Sequence, residues 1–306
     1  MSDEVYEPGA EPIVDIVEKN DVTKKEFVAP KRVIGDEGIS KKDYVDNNSI
    51  KNDESIKNET STNFDNSVKP NKKEYSKRVP TGIKGFDDLI EGGFERNSIV
   101  LIIGTAGTGK TLLSMQFLYE GVTKFNENSV FISFEEGKDS LYEHALQFGW
   151  DFEKLDKEDK FRLLFFKPHQ VTKILEEGGG QIRDALSEIN AKRVVIDSIT
   201  AYGLLFRDEY TRREKILEFF NLLSRWGITS LVVAEESPRN VETEEGSIAF
   251  ISDAVIAMNY NQDLEKDTRV HSLEIIKMRG TKHTNKVCAI GFDDDGLRVY
   301  PDVEVF

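Results

Sequence analysis

The chain has a single cysteine, Cys288, which excludes an internal disulfide and any metal site built from a cysteine cluster. Cys288 lies in the apolar run Val287 to Ile290, where a small buried hydrophobe is its simplest role. The sequence also lacks any apolar stretch long enough to cross a bilayer, so no membrane insertion is expected. Its opening residues are acidic and polar, not basic and then apolar, which argues against a secretory leader and for a cytoplasmic protein. The formal net charge is −15, and no dense basic run occurs in the part expected to fold. Nucleic acid, which needs a basic footprint, is therefore not an expected partner.

Large aliphatics are scarce too, but only locally. From Met1 to about Lys77 the chain is crowded with Asn, Asp, Lys, Ser and Glu and shows almost no apolar periodicity. Such a segment cannot bury enough surface to offset the entropy of ordering it. The expected organisation is a disordered polar tail over 1–77 and one folded domain over 78–306.

Within that domain, strand and helix patterns alternate. Strands are expected at Ser98 to Ile103, Val130 to Phe134, Phe161 to Lys167, Arg193 to Asp197 and Thr229 to Ala234. Helices are expected at Leu112 to Tyr119, Asp139 to Phe148, Val171 to Ile189 with a break at Gly178 to Gly180, and Thr211 to Trp226. Alternation of this kind implies a parallel sheet covered on both faces. Beyond Asp253 the period changes to strands joined by polar turns, so the C-terminal end of the sheet should be antiparallel.

The stretch Gly104, Thr105, Ala106, Gly107, Thr108, Gly109, Lys110, Thr111 matches the phosphate-binding pattern G-x-x-x-x-G-K-[ST]. It sits between an expected strand and an expected helix, as its mechanism requires. The glycines let successive N–H groups turn inward, and the helix N-terminus adds its positive end. Lys110 would then reach the β- and γ-phosphates, Thr111 would offer its hydroxyl to Mg²⁺, and Leu112 continues the nucleotide-binding run.

Turnover needs acids as well. Asp197 closes the apolar run Val194 to Ile196 and fits the metal-side carboxylate, the alternative being a helix cap. Glu135 and Glu136 stand at the end of another expected strand, where open parallel sheets bind ligands, and one of them would polarise water. By themselves they could equally be solvated surface glutamates.

Taken together, Thr81 to Phe94, the phosphate loop, Ser133-Phe-Glu-Glu136, Ile196-Asp-Ser198 and Lys277-Met-Arg-Gly-Thr-Lys-His283 resemble the KaiC family within the RecA-like ATPases. The resemblance covers about Val79 to Pro301. It implies a homo-oligomer, a ring of six, in which Lys277 and Arg279 contact the γ-phosphate of a neighbour's ATP while Thr281 and His283 approach the same nucleotide. It also aligns Asp294 with a position that reaches the sugar or base, although an acidic turn reads almost as well there. Two departures stand out: the clock member of the family has two tandem ATPase domains where this chain has room for one, and its self-phosphorylated Ser-Thr pair is replaced by Ala249 and Phe250.

Three functions compete on these residues. The first is an ATP-hydrolysing ring that relays its state to an unknown protein partner. The second is a nucleotide-dependent switch with little turnover, as in archaeal motility or signalling, and the third is a DNA-handling recombinase engaging DNA through about 203–213 and 235–250. Arg207, Arg212 and Arg213 favour the third, while the acidity of Glu235 to Glu245 opposes it. The remaining features have plain readings: His169 as a loop residue, His144 on a polar helix face, His271 without a metal-site partner, and Trp150 and Trp226 as packing anchors.

Overall fold

The computed structural model describes residues 78–238, 248–263 and 268–305. The expected tail, and much of the acidic stretch after Glu235, lie outside the described residues. In chain order the strands are β1 (Arg78–Val79), β2 (Phe94–Glu95), β3 (Ile99–Ile103), β4 (Ser129–Ser133), β5 (Phe161–Phe165), β6 (Arg193–Asp197), β7 (Thr229–Ala234), β8 (Ala254–Asp263), β9 (Thr268–Met278), β10 (Cys288–Asp293) and β11 (Gly296–Glu304). The helices are α1 (Lys110–Phe125), α2 (Lys138–Leu146), α3 (Phe152–Lys157), α4 (Pro168–Glu176), α5 (Gly180–Glu188), α6 (Ile199–Gly203) and α7 (Glu209–Trp226).

The main sheet runs β11-β10-β9-β8-β3-β7-β6-β4-β5. From β5 to β8 neighbouring strands are parallel, and β9, β10 and β11 add antiparallel pairs at one side. The two-residue β1 and β2 pair separately. The central strands β3, β4, β6 and β7 are buried along their whole length, which is why they read as continuous apolar runs and not as alternating ones.

Period two still sorts their side chains. Val100, Ile102, Phe131, Val195 and Leu231 face one core with Leu113, Phe117 and Leu141. Leu101, Ile103, Val130, Ile132, Val194, Ile196 and Val232 face a second core with Leu186, Phe219 and Leu223. Each aliphatic side chain so buried contributes about 1.5–3 kcal/mol over exposure.

The structure departs from the sequence expectation at short elements. Helices α3 and α6 have too few turns to show a period. His169 belongs to α4, not to a loop, because Pro168 opens that helix at its first turn, where its missing N–H costs nothing. The triple glycine divides α4 from α5 as expected.

One buried charge fixes how α1 sits on the sheet. The Arg193 side chain is fully buried. Its Nε donates to Glu127 Oε2 at 2.8 Å, and Nη1 donates to the Phe117 carbonyl at 2.9 Å. The guanidinium lies 4.5 Å from the Phe117 ring centre. A Cβ at Gly121 would stand 2.5 Å from the Arg193 side chain, so only glycine lets helix and arginine meet. Because α1 begins at Lys110 and β6 ends at Asp197, this anchor sets the relation between the phosphate loop and the acid beyond it.

Candidate nucleotide site

The carboxyl ends of β4, β6, β7 and β3 lie side by side, and every element of the candidate site leaves from one of them. From β3 the chain enters the glycine loop. Thr105, Ala106 and Gly107 form its exposed lip, and the Thr108 hydroxyl, fully buried, donates to the Thr105 carbonyl at 2.9 Å. Gly109 stands at φ +94° and caps α1, with the Phe292 ring so near that a Cβ there would lie 2.9 Å from it. Lys110 Nζ donates to the carbonyls of Gly104 and Thr105, both at 2.9 Å. Burial lowers its pKa, against the opposing pull of Glu235, Asp197 and Glu135.

Thr111, on the first turn of α1, donates its hydroxyl to Asp197 Oδ2 at 2.7 Å. Asp197 is buried, and that burial raises its pKa to about 6; the Thr111 hydroxyl and Lys110 resist the rise, and the charges of Glu135 and Glu136 add to it. At the end of β4 the Ser133 hydroxyl accepts the N–H groups of Glu135 at 3.3 Å and Glu136 at 3.0 Å, which turns the chain and splays the two acids. Glu135 Oε1 then accepts the Ser198 hydroxyl beside Asp197. Glu136 faces α2 instead, accepting from Ser140 at 2.9 Å with His144 Nδ1 at 3.4 Å.

Loop, acids and helix enclose an open cavity of about 490 Å³, lined by Gly107, Gly109, Lys110, Thr111, Leu112, Glu135, Glu136 and Asp197 among others. Its lining includes several residues that no sequence pattern assigns to this site. Met115, His144, Gln147 and Phe148 complete one wall, and Glu235 stands at the end of β7 as Asp197 does at the end of β6. Strand-end position could have flagged Glu235. Phe148 carried no signal, because it ends a helix pattern and only the fold turns it toward the loop. A further group lies beyond the glycines, where His271 Nε2 is 3.2 Å from the Gly107 carbonyl and its ring stacks on Tyr260 at 4.0 Å.

Four residues of the C-terminal motif stay away from this cavity. β8 runs parallel to β3 with Ala254 beside Val100 and Ala257 beside Ile103, and β9 returns so that Lys277 lies beside Val255. Lys277 is thus level with Leu101 at the middle of β3, roughly 7 Å of strand from its end, and Arg279 lies further back, its N–H on the Asp253 carbonyl. There its Nζ donates to the carbonyls of Ala249 at 2.9 Å and Ser252 at 2.7 Å. Arg279 donates to the Phe250 carbonyl at 3.0 Å, Thr281 accepts from Arg78, and His283 Nδ1 lies 2.8 Å from the Thr284 carbonyl. Asp294 is at the tip of the β10–β11 hairpin, and it is Phe292 of that hairpin whose ring meets the loop glycine.

A phosphate loop on the central strand, a hydroxyl–carboxylate pair at its mouth and antiparallel strands closing the sheet define a RecA-like ATPase fold. A family model described as "ATPase: KaiC" matches residues 79–304, and the chain belongs to the KaiC family. The circadian clock oscillator protein KaiC of Prochlorococcus marinus subsp. pastoris is 33% identical over 243 residues, 77% of this chain and 47% of that protein. The same protein of Acaryochloris marina is 33% identical over 247 residues, 76% of this chain and 45% of its own length. The chain thus spans about half the length of these relatives. The crystal structure of a KaiC-like protein from the hyperthermophilic archaeon Pyrococcus horikoshii superposes with a TM-score of 0.65 at 35% identity, covering 73% of this chain and 99% of that one. Among the described residues no helix is long and apolar enough to cross a membrane.

Proposed function

We propose that this protein binds ATP with Mg²⁺ in the cavity at the loop of residues 104–111, hydrolyses it, and does so as a homo-oligomer in which each copy completes its neighbour's site. The observation that carries the reading is the 2.7 Å hydrogen bond from Thr111 to Asp197 inside a cavity that also holds Lys110, Glu135 and Glu136. Hydroxyl and carboxylate oxygens are the donors a small hard cation prefers, and Mg²⁺ sites of this kind are completed by phosphate oxygens and water. The set therefore fits the group. When bound, the ion would be held on the protein side by the Thr111 hydroxyl and the Asp197 carboxylate, and would offset the charge of the phosphate oxygens.

The protein's own groups supply the rest. Lys110, now on two loop carbonyls, exchanges them for phosphate oxygens. Asp197 must be ionised to serve, and its burial opposes this only below about pH 6, where nucleotide binding would release the proton. Glu135, turned toward the end of β6, polarises the attacking water, while Glu136 is held by α2. Leu112, Met115 and Phe148 offer apolar surface for the base. Lys277, Arg279, Thr281 and His283 then act on an adjoining copy, because none of them lines this cavity in its own chain; the cations among them stabilise charge on the transferring phosphoryl oxygens. A ring of six, a cytoplasmic setting and relay to a protein partner complete the proposal, with Asp294 at the sugar or base.

Glu235 lines both the nucleotide cavity and an adjoining one of about 270 Å³ beside α6 and α7, so a nucleotide that moved Glu235 would reshape that neighbouring surface too. That feature also suits a switch with little turnover. Phosphate release by wild type and by Glu135→Gln/Glu136→Gln separates the two. We expect steady release that the double substitution lowers at least about a hundredfold. Equal rates would refute hydrolysis at this site.

A further inference from the structure

The hairpin end that carries Lys277 and Arg279 leads into a turn gripped by a residue from the opposite end of the domain. Arg78 lies in β1, with its side chain 16% exposed. Its Nη1 donates to Thr281 Oγ1 at 2.5 Å and to the Gly93 carbonyl at 3.4 Å. Its Nη2 donates to Glu91 Oε2 at 2.9 Å and to the Gly280 carbonyl at 3.4 Å. The same Glu91 oxygen accepts the N–H of Lys282 at 3.2 Å, and the Thr284 N–H reaches the Leu89 carbonyl at 3.3 Å.

The turn after β9 is therefore tied along residues 280–284 to the segment between β1 and β2. On its other flank Lys277 and Arg279 rest on the carbonyls of residues 249–252, and Arg279 lies 3.4 Å from Asp253. A cation acting across a subunit boundary is useful only if its backbone is fixed before the phosphates arrive, since small misplacements cost large factors in rate. A planar guanidinium is suited to the task, because it can hold a carboxylate and a hydroxyl in one fixed fork; an ammonium is a point donor.

We propose that Arg78, with Glu91 as its carboxylate partner, is a positioning residue that sets the placement of Lys277 and Arg279 against the neighbour's nucleotide. The proposal rests on the reading that those two cations act in trans. Its test compares Arg78→Ala, Arg78→Lys and wild type in steady-state ATP hydrolysis, and then mixes Arg78→Ala with Glu135→Gln/Glu136→Gln. The first partner keeps a sound phosphate loop and the second a sound hairpin.

Arg78→Ala is expected to lose about tenfold in kcat, with Arg78→Lys in between. An equal mixture should recover activity above the sum of its parts, toward roughly a quarter of wild type, as random head-to-tail contacts dictate. Undiminished turnover by Arg78→Ala, or a loss that mixing leaves unrepaired, would overturn the role. If Arg78→Ala does not fold, Glu91→Gln is read in the same way. Lys277→Ala mixed with the same double variant is the control. Rescue there, beside an unaffected Arg78→Ala, removes Arg78 alone; failure there removes the trans reading beneath it.

Discussion

Asp197 sits at the end of β6 with the Thr111 hydroxyl donating to it and a pKa raised to about 6. The folded protein holds this proton at pH values where an unfolded chain, near the ordinary carboxylate value of about 4, has lost it. Stability contributed by the site is therefore full below about pH 4, falls as pH rises toward 6, and leaves a penalty of about 3 kcal/mol at pH 7. In the nucleotide-free protein, Asp197→Asn should raise stability at pH 7 by up to that amount in urea unfolding, with the gain vanishing at pH 4, while ATP hydrolysis is lost. A destabilised variant at pH 7 would contradict the burial argument. Arg193 poses the opposite case, a charge whose burial is matched by a partner. Arg193→Ala should cost about 3 kcal/mol or more, because buried Glu127 loses one of its two arginine partners and the Phe117 carbonyl its donor. Gly121→Ala should also destabilise, since the new methyl meets the guanidinium; unchanged urea midpoints for both would show that α1 does not depend on this anchor.

Among the elements, the antiparallel strands β9, β10 and β11 are the ones whose opening can be watched directly. Cys288 starts β10 with its side chain fully buried. A thiol reagent can reach it only when these strands part. We expect labelling of the native protein to be slow and governed by opening, and to become immediate in denaturant; fast labelling under native conditions would mean that the edge of the sheet is frayed. The same strands show why element type was readable and boundaries were not. The apolar residues beyond Asp253 signalled strands, but β8 extends to Asp263 and β9 begins at Thr268, beyond those apolar residues. Their outer parts are polar, and pairing with each other, not a hydrophobic face, makes them strands. Helices α3 and α6 escaped for a related reason, being too short for a period to repeat.

For the whole molecule, the strand register keeps Lys277 and Arg279 out of the phosphate-loop cavity, and a site completed by a neighbour, as proposed, would make turnover depend on assembly. Light scattering with ATP and Mg²⁺, run beside phosphate release over a dilution series, should show specific activity falling as the oligomer dissociates. Activity per subunit that stays constant into the monomer range would remove the neighbour from the mechanism. Lys277→Ala is expected to assemble yet turn over slowly, which separates the cation's chemistry from its packing.

The phosphate loop, the two glutamates and Asp197 were legible in the sequence because each is a local pattern: glycines before a lysine, or acids closing an apolar strand. Parallel alternation followed by antiparallel pairs was legible for the same reason, since burial on two faces leaves continuous apolar runs. Local patterns could not tell which strand ends meet. Only the order β3-β7-β6-β4 brings Lys110, Glu235, Asp197 and Glu135 to one cavity and turns Phe148 into its wall, while the β8–β9 pairing keeps Lys277 and Arg279 out of it. Those relations come from long-range pairing and from anchors such as Arg193 and Arg78, whose partners lie far away along the chain, where no periodicity can point to them.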